Sequence, residues 1–208
     1  MSKIVKHKKF IMVTGFVIIV LFICYLIGQN IVLPNRMKAD GYLDINGRIP
    51  EYSILENVNN FAFGGQKDMD VLGGKSISMV DLNKDNSELS ESWLGKSIFM
   101  TPGTSMAQRM KFKKNYNKIS FKYAMYPTIS KEISDGANIV IELYGDEGKK
   151  PILRKVYEVT PEKDFESVEL DISKINNTEM TLAISCNNGL NNNEDGDWVL
   201  IKNLCVVR

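Results

Sequence analysis

The chain has 208 residues, of which 44% are hydrophobic and 25% are charged, with a formal net charge of +1. This composition excludes a disordered or fibrous protein and favours a single domain of ordinary size. Four lysines fall in the first ten residues, and removing their charge from +1 leaves −3 for the rest of the chain. The main domain is therefore not a strongly basic nucleic-acid binder.

An uncharged apolar run, FIMVTGFVIIVLFICYLIG, occupies residues 10–28. As a helix it would extend roughly 28 Å, close to the thickness of a bilayer hydrocarbon core. The run is longer than the core of a cleaved signal peptide, no small-residue cleavage site follows it, and Phe22 and Ile23 do not suit a lipid attachment at Cys24. We predict a cytoplasmic tail at 1–9, a transmembrane helix at 10–28 and, by the positive-inside rule, an extracytoplasmic remainder.

The segment that follows, residues 29–45, mixes proline, glycine and charges without a hydrophobic period, which predicts a stalk. Residues 46–208 have the size of one domain. Segments that alternate apolar and polar side chains, as half-buried strands do, are 118–126, 137–145, 166–173 and 179–185. Weaker strand patterns occur at 76–82, 96–102, 109–113 and 152–159. The last pattern, 198–207, is apolar on nearly both faces, which predicts a central strand.

These patterns amount to about nine strands, with turn residues between them and no long helical period outside the apolar run. They predict an all-β domain, a jelly-roll β-sandwich preceded by one N-terminal transmembrane helix. Two cysteines of this domain, Cys186 and Cys205, lie in predicted strands. If those strands form one hairpin turning near Asn192, the cysteines would be roughly 23 Å apart, too far for a disulfide. We therefore predict two buried free thiols.

Several motifs resemble the NPCBM family of carbohydrate-binding modules. The stretch ISDGANIVIELYGDEGKKPIL is followed in order by VELDIS, MTLAIS and NNNEDGDW, as in that family. Upstream, GKSIFMTPGTSMAQRMKF resembles another family segment but lacks its histidine. The resemblance implies a galactose-binding-like jelly roll, a carbohydrate ligand and, as such sandwiches often carry, a structural calcium ion.

Enzymatic chemistry finds little support in the residues. The single histidine, His7, lies in the predicted cytoplasmic tail, so the outer domain has no imidazole for nucleophilic catalysis or zinc binding. The glycines of FGGQKD and LGGKS do not have phosphate-loop spacing. Paired carboxylates remain formally available for glycoside hydrolysis, but a sandwich of this size offers little room for such a cleft. We predict a protein that is not an enzyme.

The polar loop NNNEDGDW at 191–198 has three interpretations. Its Asn, Asp and Gly spacing resembles the start of an EF-hand loop, but Lys202 stands where the bidentate glutamate is required, and the flanks are strands. A calcium site outside the EF-hand class would use Asn193, Asp195 and Asp197. A plain solvated turn needs the same residue types.

The third interpretation is sugar binding, in which an aromatic ring packs on the sugar and polar side chains bond its hydroxyls. The loop and the only other tryptophan of the chain supply candidate ligands: Trp198, Asp197, Asp195, Asn193 and Trp93. The alternative role for Trp198 is to begin the core of the last strand. Residues 109–123 alternate basic and apolar side chains and suit either an anionic partner, such as a wall polymer or phospholipid head groups, or a plain solvated sheet face.

Together these observations predict a single-pass membrane protein whose extracellular sandwich binds carbohydrate, such as a cell-wall or capsule polymer, at the bacterial envelope. The alternative is an accessory or assembly subunit whose sandwich binds another membrane or envelope protein. The sequence favours no particular glycan and no oligomeric state.

Overall fold

The computed structural model describes residues 17–26, 42–64, 66–67, 76–82, 93–145, 148–175, 178–191 and 194–208. Residues 17–26 form a helix with exposed side chains. Within the described ranges, no helix is long and apolar enough to cross a membrane. The predicted span of 10–28 reaches past the described residues on both sides, so the transmembrane helix stays a prediction.

The rest of the described chain is almost entirely strand and turn. All nine segments predicted as strands are strands in the structure. The strands are β1 (Tyr52–Ser53), β2 (Ala62–Gly64), β3 (Gln66–Lys67), β4 (Ser76–Asp81), β5 (Lys96–Met100), β6 (Thr104–Phe112), β7 (Lys118–Met125), β8 (Ala137–Tyr144), β9 (Pro151–Val159), β10 (Glu166–Asp171), β11 (Thr178–Asn188) and β12 (Val199–Val207). A 3-10 turn, Val58–Asn60, precedes β2.

The described strands form two sheets. One sheet has the order β10-β7-β12-β5-β4-β3, with β1 paired to β12, and the other has the order β2-β6-β11-β8-β9. The pairs are antiparallel apart from β3 with β4, which is parallel. The inward side chains of both sheets share one hydrophobic core, which makes the domain a β-sandwich, as predicted.

The core follows from the period-two alternation of the strands. On β7, Ile119, Phe121 and Met125 point into the sandwich, where they meet inward residues of the facing sheet such as Ile141 and Leu182. Each of these side chains is at most 1% exposed. The alternation in the sequence therefore identified the buried face correctly.

Strand β12 is central, as its apolar pattern predicted. It lies between β7 and β5 and is buried on both faces. Ile201 faces the main core, whereas Leu200 faces outward into a second hydrophobic cluster. Its register shifts between Lys202 and Cys205, where Asn203 adopts a positive φ of 53°.

The hairpin assumed between the strands of Cys186 and Cys205 is wrong. Strand β11 pairs with β6 and β8, and β12 pairs with β7 and β5, so the two strands belong to different sheets. Both hydrogen-bonding edges of each strand are taken by other partners, and the chain passes from one sheet to the other between Asn188 and Val199. Cys186 and Cys205 are nevertheless buried and free, as predicted. Burial raises the pKa of both thiols.

Candidate functional site

The loop between β11 and β12 is held by a buried carboxylate. Asp197 has no exposed surface, and its carboxylate accepts hydrogen bonds from the Ser134 hydroxyl and, at 3.4 Å, from the Gly189 amide. The Ser134 hydroxyl in turn accepts the Gly136 amide at 3.0 Å. Burial raises the pKa of Asp197, against the opposing effect of these hydrogen bonds. Asp197 thus ties this loop to residues 129–136.

Close backbone packing explains one glycine of the same loop. Gly196 has a φ of +71°, and a Cβ built there would come within 2.6 Å of the Ile133 side chain. Only glycine combines this left-handed backbone with so close an approach. The glycine of the calcium-like pattern therefore has a packing role that needs no metal.

The predicted calcium ligands are only partly described. Asp197 is buried and already hydrogen-bonded, whereas Asp195 is exposed, and Asn193 lies outside the described residues. Among the residues that the structure describes, no group of three or more His, Cys, Asp or Glu side chains is placed to hold a metal ion. The two described aspartates do not make a calcium site by themselves, and the site stays a prediction.

The two tryptophans lie on the outer face of the seven-stranded sheet. Trp93 is 8% exposed, and its ring centroid is 4.7 Å from that of Phe165. Trp198 is half-buried and packs edge-on against Phe99 and Tyr126 at 6.0 and 6.1 Å. With Leu82, Ala124 and Leu200 these rings form the second hydrophobic cluster, here called the outer cluster. A sugar can stack on Trp93 only if the segment that carries it moves.

A buried lysine completes the outer cluster. Lys202 is 8% exposed, its ammonium group donates to the Leu94 carbonyl, and it lies 5.6 Å from the centroid of the Phe165 ring. Burial, with a smaller contribution from Lys122, lowers the pKa of Lys202 to about 8. The residue that breaks the EF-hand pattern therefore fastens the segment around Trp93 to the sheet.

The outer face of the five-stranded sheet is different, because its middle carries small side chains. In the strand register Thr181 of β11 lies between Arg109 of β6 and Tyr144 of β8. The next row along β11 places Ala183 beside Ala107. Neighbouring strands are about 4.8 Å apart, so the two large residues stand about 10 Å apart across a low floor. These residues line a shallow pocket of about 340 Å³, here called the groove.

Polar contacts hold the walls of the groove in place. The Tyr144 hydroxyl donates to Glu142 Oε2 at 2.8 Å, and Arg154 Nε donates to Glu142 Oε1 at 3.0 Å. The hydrogen bond to Glu142 raises the pKa of Tyr144. On the opposite wall, Arg109 pairs with Glu179, with Nη2 and Oε2 3.1 Å apart.

This arrangement suits binding of a polyhydroxylated ligand. It combines one aromatic wall, both hydrogen-bond donors and hydrogen-bond acceptors, and small floor residues that let a sugar ring approach the sheet. The pocket volume lies at the small end of the range of ligand sites.

Sequence reasoning missed the groove. A signal was present in the outward phase of β11, where Thr181, Ala183 and Ser185 are all small. What the sequence did not give was the neighbours of these residues, because Arg109 lies more than seventy positions earlier in the chain. None of the residues predicted as sugar ligands lines the groove.

Comparisons with known proteins add a likeness at low identity. No protein-family model matches the chain, so membership of the NPCBM family is not shown, and no curated protein matches it. The sandwich is similar to the solved structure of TmCBM61 in complex with beta-1,4-galactotriose, at 15% identity and a TM-score of 0.45, covering 71% of this chain and 88% of that one.

Two further solved structures show the range of the likeness. CBM51 from Clostridium perfringens GH95 in complex with methyl-galactose is 14% identical, covering 70% of this chain and 92% of that one, with a TM-score of 0.40. The Stig cyclase Fisc from Fischerella sp. TAU is 9% identical, covering 74% of this chain and 86% of that one, with a TM-score of 0.44. The sandwich therefore resembles carbohydrate-binding modules and also an enzyme, and at these scores the likeness assigns neither ligand nor site.

Proposed function

We propose that this protein is a membrane-anchored, non-catalytic jelly roll that binds carbohydrate of the bacterial cell envelope in the groove between Arg109 and Tyr144. The observation that supports it is the register of β6, β11 and β8, which sets Thr181 between those two side chains.

The chemistry of the groove matches that of a sugar. A tyrosine ring offers a surface for the apolar C–H face of a pyranose, while guanidinium and carboxylate groups hydrogen-bond to its hydroxyls. Tyr144 is fixed by Glu142, so little side-chain freedom is lost when a ligand packs against it. Ala107 and Ala183 leave room above the sheet for the sugar ring.

The same contacts argue for binding without catalysis. Glycoside hydrolysis needs a carboxylic acid kept protonated near neutral pH, beside a second carboxylate. The carboxylates at the groove, Glu142 and Glu179, are instead each paired with an arginine. Glu142 accepts from Tyr144 at one oxygen and from Arg154 at the other, and Glu179 accepts from Arg109, so both carboxylates serve to hold the walls of the groove.

The location is proposed from the sequence. The uncharged run at 10–28 follows a lysine-rich N-terminus, which would place the sandwich outside the cell. Two measurements test this location: resistance of the membrane-bound protein to extraction with alkaline carbonate, and digestion of the sandwich by protease added to intact cells. Release by carbonate or protection from the protease would contradict it.

The binding proposal is tested with the full chain in detergent on an array of wall, capsule and host glycans. We expect glycan binding that Tyr144→Ala and Arg109→Ala each weaken at least tenfold, equivalent to about 1.4 kcal/mol. Ser167→Ala, on the exposed face of β10, is the control and should bind as the wild type does. Absence of glycan binding, together with recovery of one envelope protein by crosslinking in cells, would instead support the accessory-subunit alternative.

A further inference from the structure

The two ends of the sandwich differ in charge. At one end lie the β6–β7 turn (113–117) and the described residues of the β8–β9 turn (145, 148–150) and of the β10–β11 connection (172–175). Strand register places them together, since Phe112 pairs with Thr178 and Lys118 pairs with Asp171. Tyr144 likewise pairs with Thr181 near the start of β11. This end, here called the basal end, contrasts with the distal end formed by residues 126–136, 160–165, 189–191 and 194–198.

Exposed lysines occupy all three basal connections, and none of them forms an ion pair with a described residue. They are Lys113, Lys114, Lys149, Lys150 and Lys174. Of the described acids at this end, Glu51 pairs with Arg208 and also accepts from Asn115. The Asp171 carboxylate accepts the Ser173 amide and offsets part of the charge of Lys174. The sequence also places Asp146 and Glu147 in the β8–β9 turn, outside the described residues.

The distal end has the opposite balance. Its exposed basic residues are Lys131 and Lys163, which pair with Glu162 and Glu166. Further carboxylates of its connections, beside the buried Asp197, are Glu132, Asp135, Asp164, Glu194 and Asp195. The described charges of the domain are therefore polarised along the strand direction, with lysines at the basal end and acids at the distal end.

Apolar side chains lie among the basal lysines. Ile152 is 61% exposed and lines a second pocket, of about 600 Å³, with the apolar Leu153, Ile172 and Ile175 and the charged Lys174 and Asp171. Aliphatic side chains on a surface that also carries lysines suit an anionic bilayer, where the lysines meet lipid phosphates and the aliphatic groups enter the head-group region.

Residues 44–51, at the predicted boundary between stalk and domain, also lie at the basal end. Asp44, Arg48, Ile49 and Glu51 line a pocket together with Val207 and Arg208, at the end of β12. Residues 29–41, which connect this part to the predicted membrane helix, can span at most about 45 Å. A chain anchored through 10–28 is therefore held to the bilayer from its basal end.

We propose that the basal end docks on the anionic phospholipid surface of the membrane in which the chain is anchored. Lys113, Lys114 and Lys174 would contact lipid phosphates, and Ile152 would enter the head-group region. The acidic distal end is repelled by the same surface and would point away from it. This inference rests on the membrane anchoring proposed above, but not on the carbohydrate groove.

The test uses the full chain in vesicles of phosphatidylcholine, with or without phosphatidylglycerol. An environment-sensitive fluorophore is attached at Ile152→Cys in a Cys24→Ser background, since buried Cys186 and Cys205 are protected from labelling. The matched control is the same label at Leu190→Cys, a distal position that is 86% exposed. We expect phosphatidylglycerol to shift the Ile152 probe to the blue and expose it to quenching by spin-labelled lipid. High salt should reverse the shift, and the Leu190 probe should not respond.

Charge variants separate lysine-specific docking from general attraction. Lys113→Glu combined with Lys114→Glu should abolish the response of the Ile152 probe. Lys131→Glu combined with Lys163→Glu makes the same charge change at the distal end and should leave the response intact. Equal effects of the two double variants, or an Ile152 probe that does not respond to phosphatidylglycerol, would overturn the proposal.

Two further outcomes would each contradict the docking of the basal end on phospholipid, for different reasons. A response to soluble polyphosphate but not to phosphatidylglycerol would assign the basal end to an anionic polymer, and the membrane proposal would be wrong. Release of the chain from vesicles by alkaline carbonate would remove the anchoring and this inference with it, while glycan binding by the groove would be unaffected.

Discussion

The two outer faces of the sandwich are used in opposite ways. On the seven-stranded sheet, aromatic rings cover the strands, with Trp93 against Phe165 and Trp198 against Phe99. On the five-stranded sheet, Thr181 and Ala183 leave the middle of the face low and open. Large side chains have closed one face, and small ones have left room on the other.

This difference shows why residue type alone did not identify the site. Tryptophan is the strongest sugar-binding residue by chemistry, but it is also the side chain that buries the most area when it covers a sheet. Here burial accounts for Trp93, whose exposed surface is small. The open face depends on a tyrosine and an arginine beside small neighbours, which is a weaker pattern in the sequence.

The largest expected effect is the loss of Trp93 from the outer cluster. Trp93→Ala should lower the free energy of unfolding by about 3 kcal/mol, because it leaves a cavity between residues 93–95 and the sheet. Urea unfolding followed by circular dichroism measures the loss. Binding of glycan to the remaining folded protein should be unchanged. A stable variant that no longer binds glycan would instead make Trp93 a sugar ligand.

Lys202 gives a nearly equal effect that depends on pH. Its pKa in the folded protein, about 8, lies below the ordinary value of 10.5, so folding favours the neutral amine. The stabilisation is present above pH 10.5 and is lost as the pH falls through about 8. The free energy of unfolding of the wild type, relative to that of Lys202→Met, should therefore rise by up to about 3 kcal/mol between pH 7 and pH 10.5.

Comparison with the methionine variant removes the contributions of tyrosines and thiols, which titrate in both proteins. Urea unfolding of the two proteins over this pH range gives the difference directly. A constant difference would show that the ammonium group is solvated and that the segment around Trp93 is not closed over it.

A smaller effect on the free energy of unfolding is expected for substitution of Asp197, in the loop that links the two sheets. Because its pKa is raised in the folded protein, its contribution to stability is present at low pH and is lost as the carboxyl ionises. Asp197→Asn keeps an acceptor for Ser134 and removes the buried charge. The free energy of unfolding of the variant should stay within about 1 kcal/mol of that of the wild type. The difference should shift in favour of the variant as the pH rises from 4 to 7.

The same variant tests the calcium prediction. If Asp197 serves only to hold the loop, thermal unfolding of the wild type should be insensitive to calcium and to chelator. A calcium-dependent rise in the wild-type midpoint that Asp197→Asn abolishes would establish a metal site at Asn193, Asp195 and Asp197.

The fold was largely predictable because alternation is a local property of the chain. The alternation of Ile119, Phe121 and Met125 identifies the buried face of β7 within that one strand. In the same way, the apolar residues on both faces of β12 identify it as a central strand. Strand partners are not local. Nothing near Cys186 indicates that β11 pairs with β6 and β8 while β12 joins the other sheet, and the assumed hairpin was wrong for that reason.

The candidate groove depends on those same distant pairings. Arg109, Thr181 and Tyr144 come from three strands that are not consecutive in the chain, and their functional meaning appears only once the register sets them side by side. Asp197 shows a related limit, because the sequence shows a carboxylate in a polar loop but not that Ser134 encloses it.

The most direct test of the open face is to fill it. Thr181→Leu places a larger side chain on the floor between Arg109 and Tyr144, and Ser167→Leu makes a comparable change on the exposed side of β10. Glycan affinity and urea unfolding are measured for both full-length variants and the wild type. We predict that Thr181→Leu binds at least tenfold more weakly, with stability within about 1 kcal/mol of the wild type, and that Ser167→Leu binds normally. Undiminished glycan binding by folded Thr181→Leu would contradict the assignment of the groove as the carbohydrate site.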